Sequence, residues 1–63
     1  MYIVKIYDPK QRVPERFLTV ANTFRTSRDR ANATTFSTEK EACEQAARIA
    51  APMRELDTCV ETA

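Results

Sequence analysis

The sequence predicts an α+β fold: a three-stranded antiparallel sheet followed by one amphipathic helix, in the order β-β-β-α. Residues 1–36 carry β-branched and aromatic side chains alternating with polar ones, the period-two pattern of half-buried strands. Thr38 followed three residues later by Glu41 has the Thr-x-x-Glu form of a capping box, in which each side chain satisfies an orphan amide of the first helical turn. From Glu39 the residues are strong helix formers, with Ala42, Ala46 and Ile49 spaced four and three apart.

The first strand is expected over residues 1–7, where Tyr2, Val4 and Ile6 fall on one face and Ile3, Lys5 and Tyr7 on the other. Two prolines, Pro9 and Pro14, bracket a polar stretch that stops the ladder and forms a loop. Residues 16–26 resume the alternation as a second strand. Leu18, Val20 and Phe24 share a face there, and Asn22 interrupts it with a bulge or bend. Ser27-Arg28-Asp29-Arg30 reads as a turn into a third strand over residues 31–36. The chain has no glycine, so its hairpins are expected to use longer connections built on Asn, Asp and Ser.

The helix is expected over residues 38–50, capped by Thr38 with Ser37 as the rival. Glutamates in its first turn and Arg48 near its end suit the macrodipole. The apolar stripe then continues through Met53, Leu56 and Val60 at spacings of four, three and four, which predicts a helical tail over residues 52–60. Pro52 lies in its path. A proline inside a helix removes a hydrogen bond and clashes with the preceding turn, costing about 3 kcal/mol, so the helix is expected to kink or break at Pro52.

With 63 residues the chain forms one small domain with one thin core. A domain of this size buries only about 60% of the surface of its unfolded chain. There is no histidine, and the two cysteines, Cys43 and Cys59, are expected to be reduced thiols serving as small apolar residues. No signal peptide and no apolar run of membrane-spanning length is found, which predicts a soluble cytoplasmic protein with no membrane partner.

Charge divides the chain. Residues 1–36 hold seven Lys and Arg against three Asp and Glu, a net of +4, and residues 37–63 hold three against six, a net of −3. A basic strand half therefore faces an acidic helical half. Arg25, Arg28 and Arg30 at the hairpin, with Arg16 and Lys5, form a candidate binding surface for phosphates or carboxylates, because guanidinium forks bond both bidentately. Met53, Leu56 and Val60 are a candidate contact for a partner or for a homodimer. Without histidine neither cysteine has its usual catalytic base, and without glycine the known phosphate-cradling loops cannot be built. No catalytic, cofactor-binding or metal-ligating residues are predicted, and an enzyme is not expected.

Phe36, Thr38, Glu41 and Ala42 match the Phe-x-Thr-x-x-Glu-Ala pattern that closes the sheet of the AP2-like, arm-type DNA-binding domain of phage integrases. That resemblance implies a sheet that reads double-stranded DNA through Lys5, Arg16, Arg25 and the loop arginines. Ser37-Thr38-Glu39 after a strand ending in Phe36 also resembles small phage-encoded inhibitors, including anti-CRISPR proteins of the sheet-plus-helix type. This second resemblance implies occlusion of a host protein or nucleoprotein complex. A nearly neutral chain, at +1, suits docking on a protein better than gripping a nucleic acid.

Overall fold

The computed structural model describes residues 1–53 and 55–63. Strands β1 (Tyr2–Tyr7), β2 (Arg16–Leu18) and β3 (Thr26–Ser27) are followed by a short 3-10 turn at Arg30–Asn32, helix α1 (Glu39–Ala50) and strand β4 (Asp57–Thr62). The sheet has four strands in the order β3-β2-β1-β4, and every neighbouring pair is antiparallel. The α+β class and the antiparallel sheet stand as the sequence predicts. The strand count does not, because a fourth strand follows the helix.

β1 is the centre of the sheet because its two flanks are used differently. Lys5 and Ile6 face Phe17 and Arg16 of β2 on one side, while all six of its residues face β4 on the other, from Tyr2 opposite Thr62 to Tyr7 opposite Asp57. Val4 and Ile6 point to the helix, where they meet Leu18, Phe36, Ala42, Ala46 and Ile49 in the core. Tyr2, Ala21, Met53, Leu56 and Val60 pack against its edge. On the far face of the sheet Ile3 and Phe17 are buried too, and Ile3 lines a hollow with Arg30, Ala31, Ala33 and Thr35. The segment from the 3-10 turn to Phe36 thus covers part of the face that α1 leaves bare.

Two strand expectations are corrected. Residues 16–26 do not form one strand: β2 ends at Leu18, and Thr19 N–H donates to Arg25 O at 3.0 Å, closing a loop of residues 20–24 that returns the chain as β3. Asn22 makes the reversal by taking a left-handed φ of 62°, which asparagine tolerates better than other non-glycine residues. Val20 and Phe24, expected on the buried face, consequently stand in solvent. Residues 31–36 do not form a strand either. Asp29 caps the 3-10 turn by accepting from Ala31 N–H; Thr34 N–H donates a single bond to Leu18 O of β2 at 2.9 Å, and Phe36 forms one bridge, exchanging bonds of 2.9 and 2.8 Å with Tyr2. β2 already occupies the rest of that flank of β1, so no longer ladder can form there.

The helix begins where the sequence places it. Thr38 Oγ1 accepts from Glu41 N–H at 3.2 Å, so Thr38 is the N-cap and Ser37 is not. The capping box is one-sided, because Glu41 Oε1 accepts from the Ser37 hydroxyl at 3.3 Å instead of reaching back to the Thr38 amide. Thr38→Ala should lower stability by about 1 kcal/mol, as loss of a threonine cap does; urea unfolding followed by circular dichroism measures it, and Ser37→Ala should cost clearly less.

The helical tail is the third correction. α1 ends at Ala50, Pro52 carries the chain out of the helix, and residues 57–62 form a strand. The break at Pro52 holds, but no second helix follows it among the described residues. Leu56 and Val60 lie four apart, a spacing shared by one face of a helix and one face of a strand. Pro52 together with the β-prone run Thr58-Cys59-Val60 settles the choice for the strand. Arg54, counted above with the cations of the helical half, lies outside the described residues.

Candidate interaction surfaces

The five cations of the predicted basic surface separate into three places. Lys5, on the sheet face that α1 leaves open, lies 3.1 Å from Glu61 and 3.4 Å from Glu15, with its ammonium over the Tyr7 ring at 5.7 Å. Arg30 reaches the same carboxylate from the 3-10 turn: Nη1 donates to Glu61 Oε1 at 2.7 Å and Nη2 to Thr62 O at 2.8 Å, while the guanidinium lies over the Phe17 ring. Arg30 therefore ties the turn to the open face of the sheet, and Lys5 ties β1 to β4 through the same carboxylate. Arg16 is on the opposite face, donating to Thr26 Oγ1 at 2.7 Å. Arg25 and Arg28 flank β3, are exposed, and form no ion pair among the described residues.

Glu61 is held below the usual carboxylate range, first by the Arg30 hydrogen bond and then by that of Lys5. Lys5 is raised above the usual lysine value by its bond to Glu61. A similar clamp closes the β1–β2 loop. Asp8 is 4% exposed, accepts from the amides of Lys10 and Arg12 and from Arg12 Nε at 2.8 Å, and is pulled down chiefly by that guanidinium. Gln11 within this loop takes a φ of 56°, doing without the glycine that such a position favours. An aspartate ending a strand before a polar turn is the sequence signal for this side-chain-to-backbone bonding.

Both carboxylates have lowered values, so their contribution to stability is complete above the ordinary carboxylate pKa and is lost as the pH falls through the lowered one. Lys5 has a raised value, so its contribution is complete below the ordinary lysine pKa and is lost above it. Stability should therefore be flat through neutrality, decline below about pH 4 and decline again above about pH 10.5. Thermal melts of Glu61→Gln across this range should show a lower plateau and weaker dependence at both ends, since one substitution removes a titrating carboxylate and the chief partner of Lys5.

The tip of the β2–β3 hairpin is the other built surface. Asn22 N–H donates to Gln45 Oε1 at 2.9 Å, and Asn22 Oδ1 accepts from Gln45 Nε2 at 3.0 Å and from Arg48 Nη1 at 2.8 Å. Three hydrogen bonds thus pin the loop to α1. Thr23 tightens it, its hydroxyl donating to Val20 O and accepting from Arg25 N–H. On this anchored loop Phe24 is 67% exposed and Val20 44%, beside Arg25, which forms no ion pair among the described residues. The sequence singled out the arginines here but assigned the two apolar residues to the core.

Met53, Leu56 and Val60, the predicted partner or dimer contact, are half-buried and pack on the protomer's own core. They do not form a helical stripe, and only Val60 lies in β4. Among the described residues no helix is long and apolar enough to cross a membrane, and no group of three or more His, Cys, Asp and Glu is placed to hold a metal ion. Compared with known proteins, the chain matches no family model, no curated protein and no solved structure.

Proposed function

We propose that this is a non-enzymatic binding protein of phage or mobile-element type that docks on a host protein or nucleoprotein complex handling nucleic acid and occludes a surface of it. The exposed Phe24, held out on a loop that Asn22 bonds to α1, carries the reading. An aromatic side chain on a preorganised loop loses little freedom on binding and buries a large area, as interface anchors do. Arg25 and Arg28 beside it suit a partner whose apolar pocket is rimmed by carboxylates. The similarity of the Ser37-Thr38-Glu39 junction to phage-encoded inhibitors supports the inhibitory role.

DNA binding through the sheet is the alternative, favoured by Arg25 and Arg28, which are exposed and form no ion pair among the described residues. It is weakened because Lys5 and Arg30, two of the five cations it needs, are engaged by Glu61. Affinity capture from bacterial lysate, with and without nuclease, separates the two. A nucleic-acid-handling complex should be retained after nuclease treatment and lost with Phe24→Ala. Retention that depends on nucleic acid, together with salt-sensitive duplex binding abolished by Arg25→Glu and Arg28→Glu and indifferent to Phe24→Ala, would show the DNA reading to be the right one.

A further inference from the structure

β4 is an edge strand with an open outer side. The bond from Ala63 N–H to Met1 O at 2.9 Å fixes the phase of its ladder. Backbone groups of alternate residues face the neighbour in an antiparallel pair, so Asp57, Cys59 and Glu61 bond β1 while Thr58, Val60 and Thr62 present theirs outward. Arg30 Nη2 closes one end by donating to Thr62 O. Among the described residues, nothing bonds the backbone N–H and C=O of Thr58 or Val60.

The two edges of the sheet are guarded unequally. β3 is two residues long and flanked by Arg25 and Arg28, and short length and charge both discourage further pairing. β4 has six residues, Asp-Thr-Cys-Val-Glu-Thr, with neither a lysine, a proline nor a bulge to protect it.

We propose that this edge binds a second copy of the chain, β4 against β4 and antiparallel, about a two-fold axis passing beside Cys59. The axis stands perpendicular to the sheet, so residues opposite each other must come from the same face. Thr58 opposite Val60 of the second copy satisfies this and bonds both open residues on each chain. Shifting the register so that Val60 meets Val60 requires the Thr62 carbonyl that Arg30 occupies. Shifting it the other way, so that Thr58 meets Thr58, carries Val60 past the end of the opposite strand to Leu56.

Charge agrees with the chosen register. It places Asp57 opposite Glu61 of the second copy, a pairing that two free carboxylates would resist. Glu61, however, is already held between Arg30 at 2.7 Å and Lys5 at 3.1 Å. The arriving Asp57 meets a carboxylate that two cations neutralise. On the axis, Cys59 meets Cys59 in a non-hydrogen-bonded pair, where Cα atoms lie about 4.5 Å apart, within the span of about 4.4–6.8 Å that a disulfide bridges.

That contact supplies the test. Cys43, exposed on α1, is first replaced by serine so that only Cys59 can react. Sedimentation equilibrium of the reduced 63-residue chain, from micromolar to millimolar, should show a monomer–dimer equilibrium. Diamide should then trap the dimer: two Cys59 thiols give up two protons and two electrons to the reagent, which becomes the hydrazine, and one S–S bond forms. Thr58→Pro removes an outward amide that bonds nothing within the protomer and should abolish both dimer and cross-link. Cys59→Glu sets a carboxylate opposite the chain's own Lys5 and two carboxylates against each other on the axis, and should give a folded monomer by circular dichroism even if Thr58→Pro does not fold. A chain that stays monomeric at millimolar concentration, or a dimer indifferent to Cys59→Glu, overturns the proposal. A dimer that diamide does not link overturns the register.

Discussion

Leu18→Ala should cost about 2–5 kcal/mol, the range for deleting a buried leucine side chain, and thereby remove much of the protein's stability. Leu18 is 0% exposed, ends β2, and meets Val4, Ile6 and Phe36 in the core. At about 0.05–0.15 kcal/mol per residue a chain of this length has roughly 3–9 kcal/mol in total. For a domain this small each kcal/mol moves the melting temperature by about 4–8 °C, so the midpoint should fall by about 10 °C or more. Val20→Ala is the control. Val20 is the next residue on the face predicted from sequence alternation, but the loop turns it into solvent, and its truncation should cost less than about 0.5 kcal/mol. Equal losses at the two positions would mean that the strand runs on through Val20.

The parts of the fold legible in the sequence are those governed by one local rule each. β1 is a run of β-branched and aromatic residues broken only by Lys5, and the threonine cap and the alanine-rich face define α1 without reference to the rest of the chain. The parts that were missed depend on competition between segments. Thr34, Thr35 and Phe36 are β-prone, yet β2 holds the flank of β1 that they would need, leaving Phe36 a single bridge to Tyr2. Leu56 and Val60 satisfy a helical and an extended period equally, and the longer reading, Leu56-Thr58-Val60-Thr62, separates them only if threonines are counted as strand-face residues.

Of the surfaces, the sequence located the basic residues but not their partners. Glu61 lies 31 positions from Arg30 and 56 from Lys5, and no local spacing announces a pairing that β4 creates by returning beside β1. The exposure of Phe24 was hidden for a related reason. Its parity with Leu18 and Val20 suits a buried face, and only the left-handed turn at Asn22 breaks that parity. The absence of glycine points to connections built on Asn, Asp and Ser, but not to which of them takes the left-handed turn.

Asn22→Ala should therefore damage the hairpin more than its exposed position suggests. Alanine in a left-handed conformation costs about 1–2 kcal/mol, and the bonds that Asn22 Oδ1 accepts from Gln45 and Arg48 are lost as well, each contributing about 0.5–1.5 kcal/mol. Because the site is solvent-exposed, the lower end applies, giving a total loss of about 2–3 kcal/mol. Asn22→Gly separates the two causes: it restores free access to φ = 62° and retains the backbone N–H that bonds Gln45, so it should recover at least about 1 kcal/mol of the loss. Hydrogen exchange at the Thr19 amide, which closes the loop on Arg25 O, should quicken most in the alanine variant. If preorganisation of Phe24 is what makes the tip a docking surface, partner capture should weaken in the glycine variant too, even where the domain stays folded, because it loses both side-chain anchors to α1. Full capture by Asn22→Gly would instead show that Phe24 needs only to be exposed, not held.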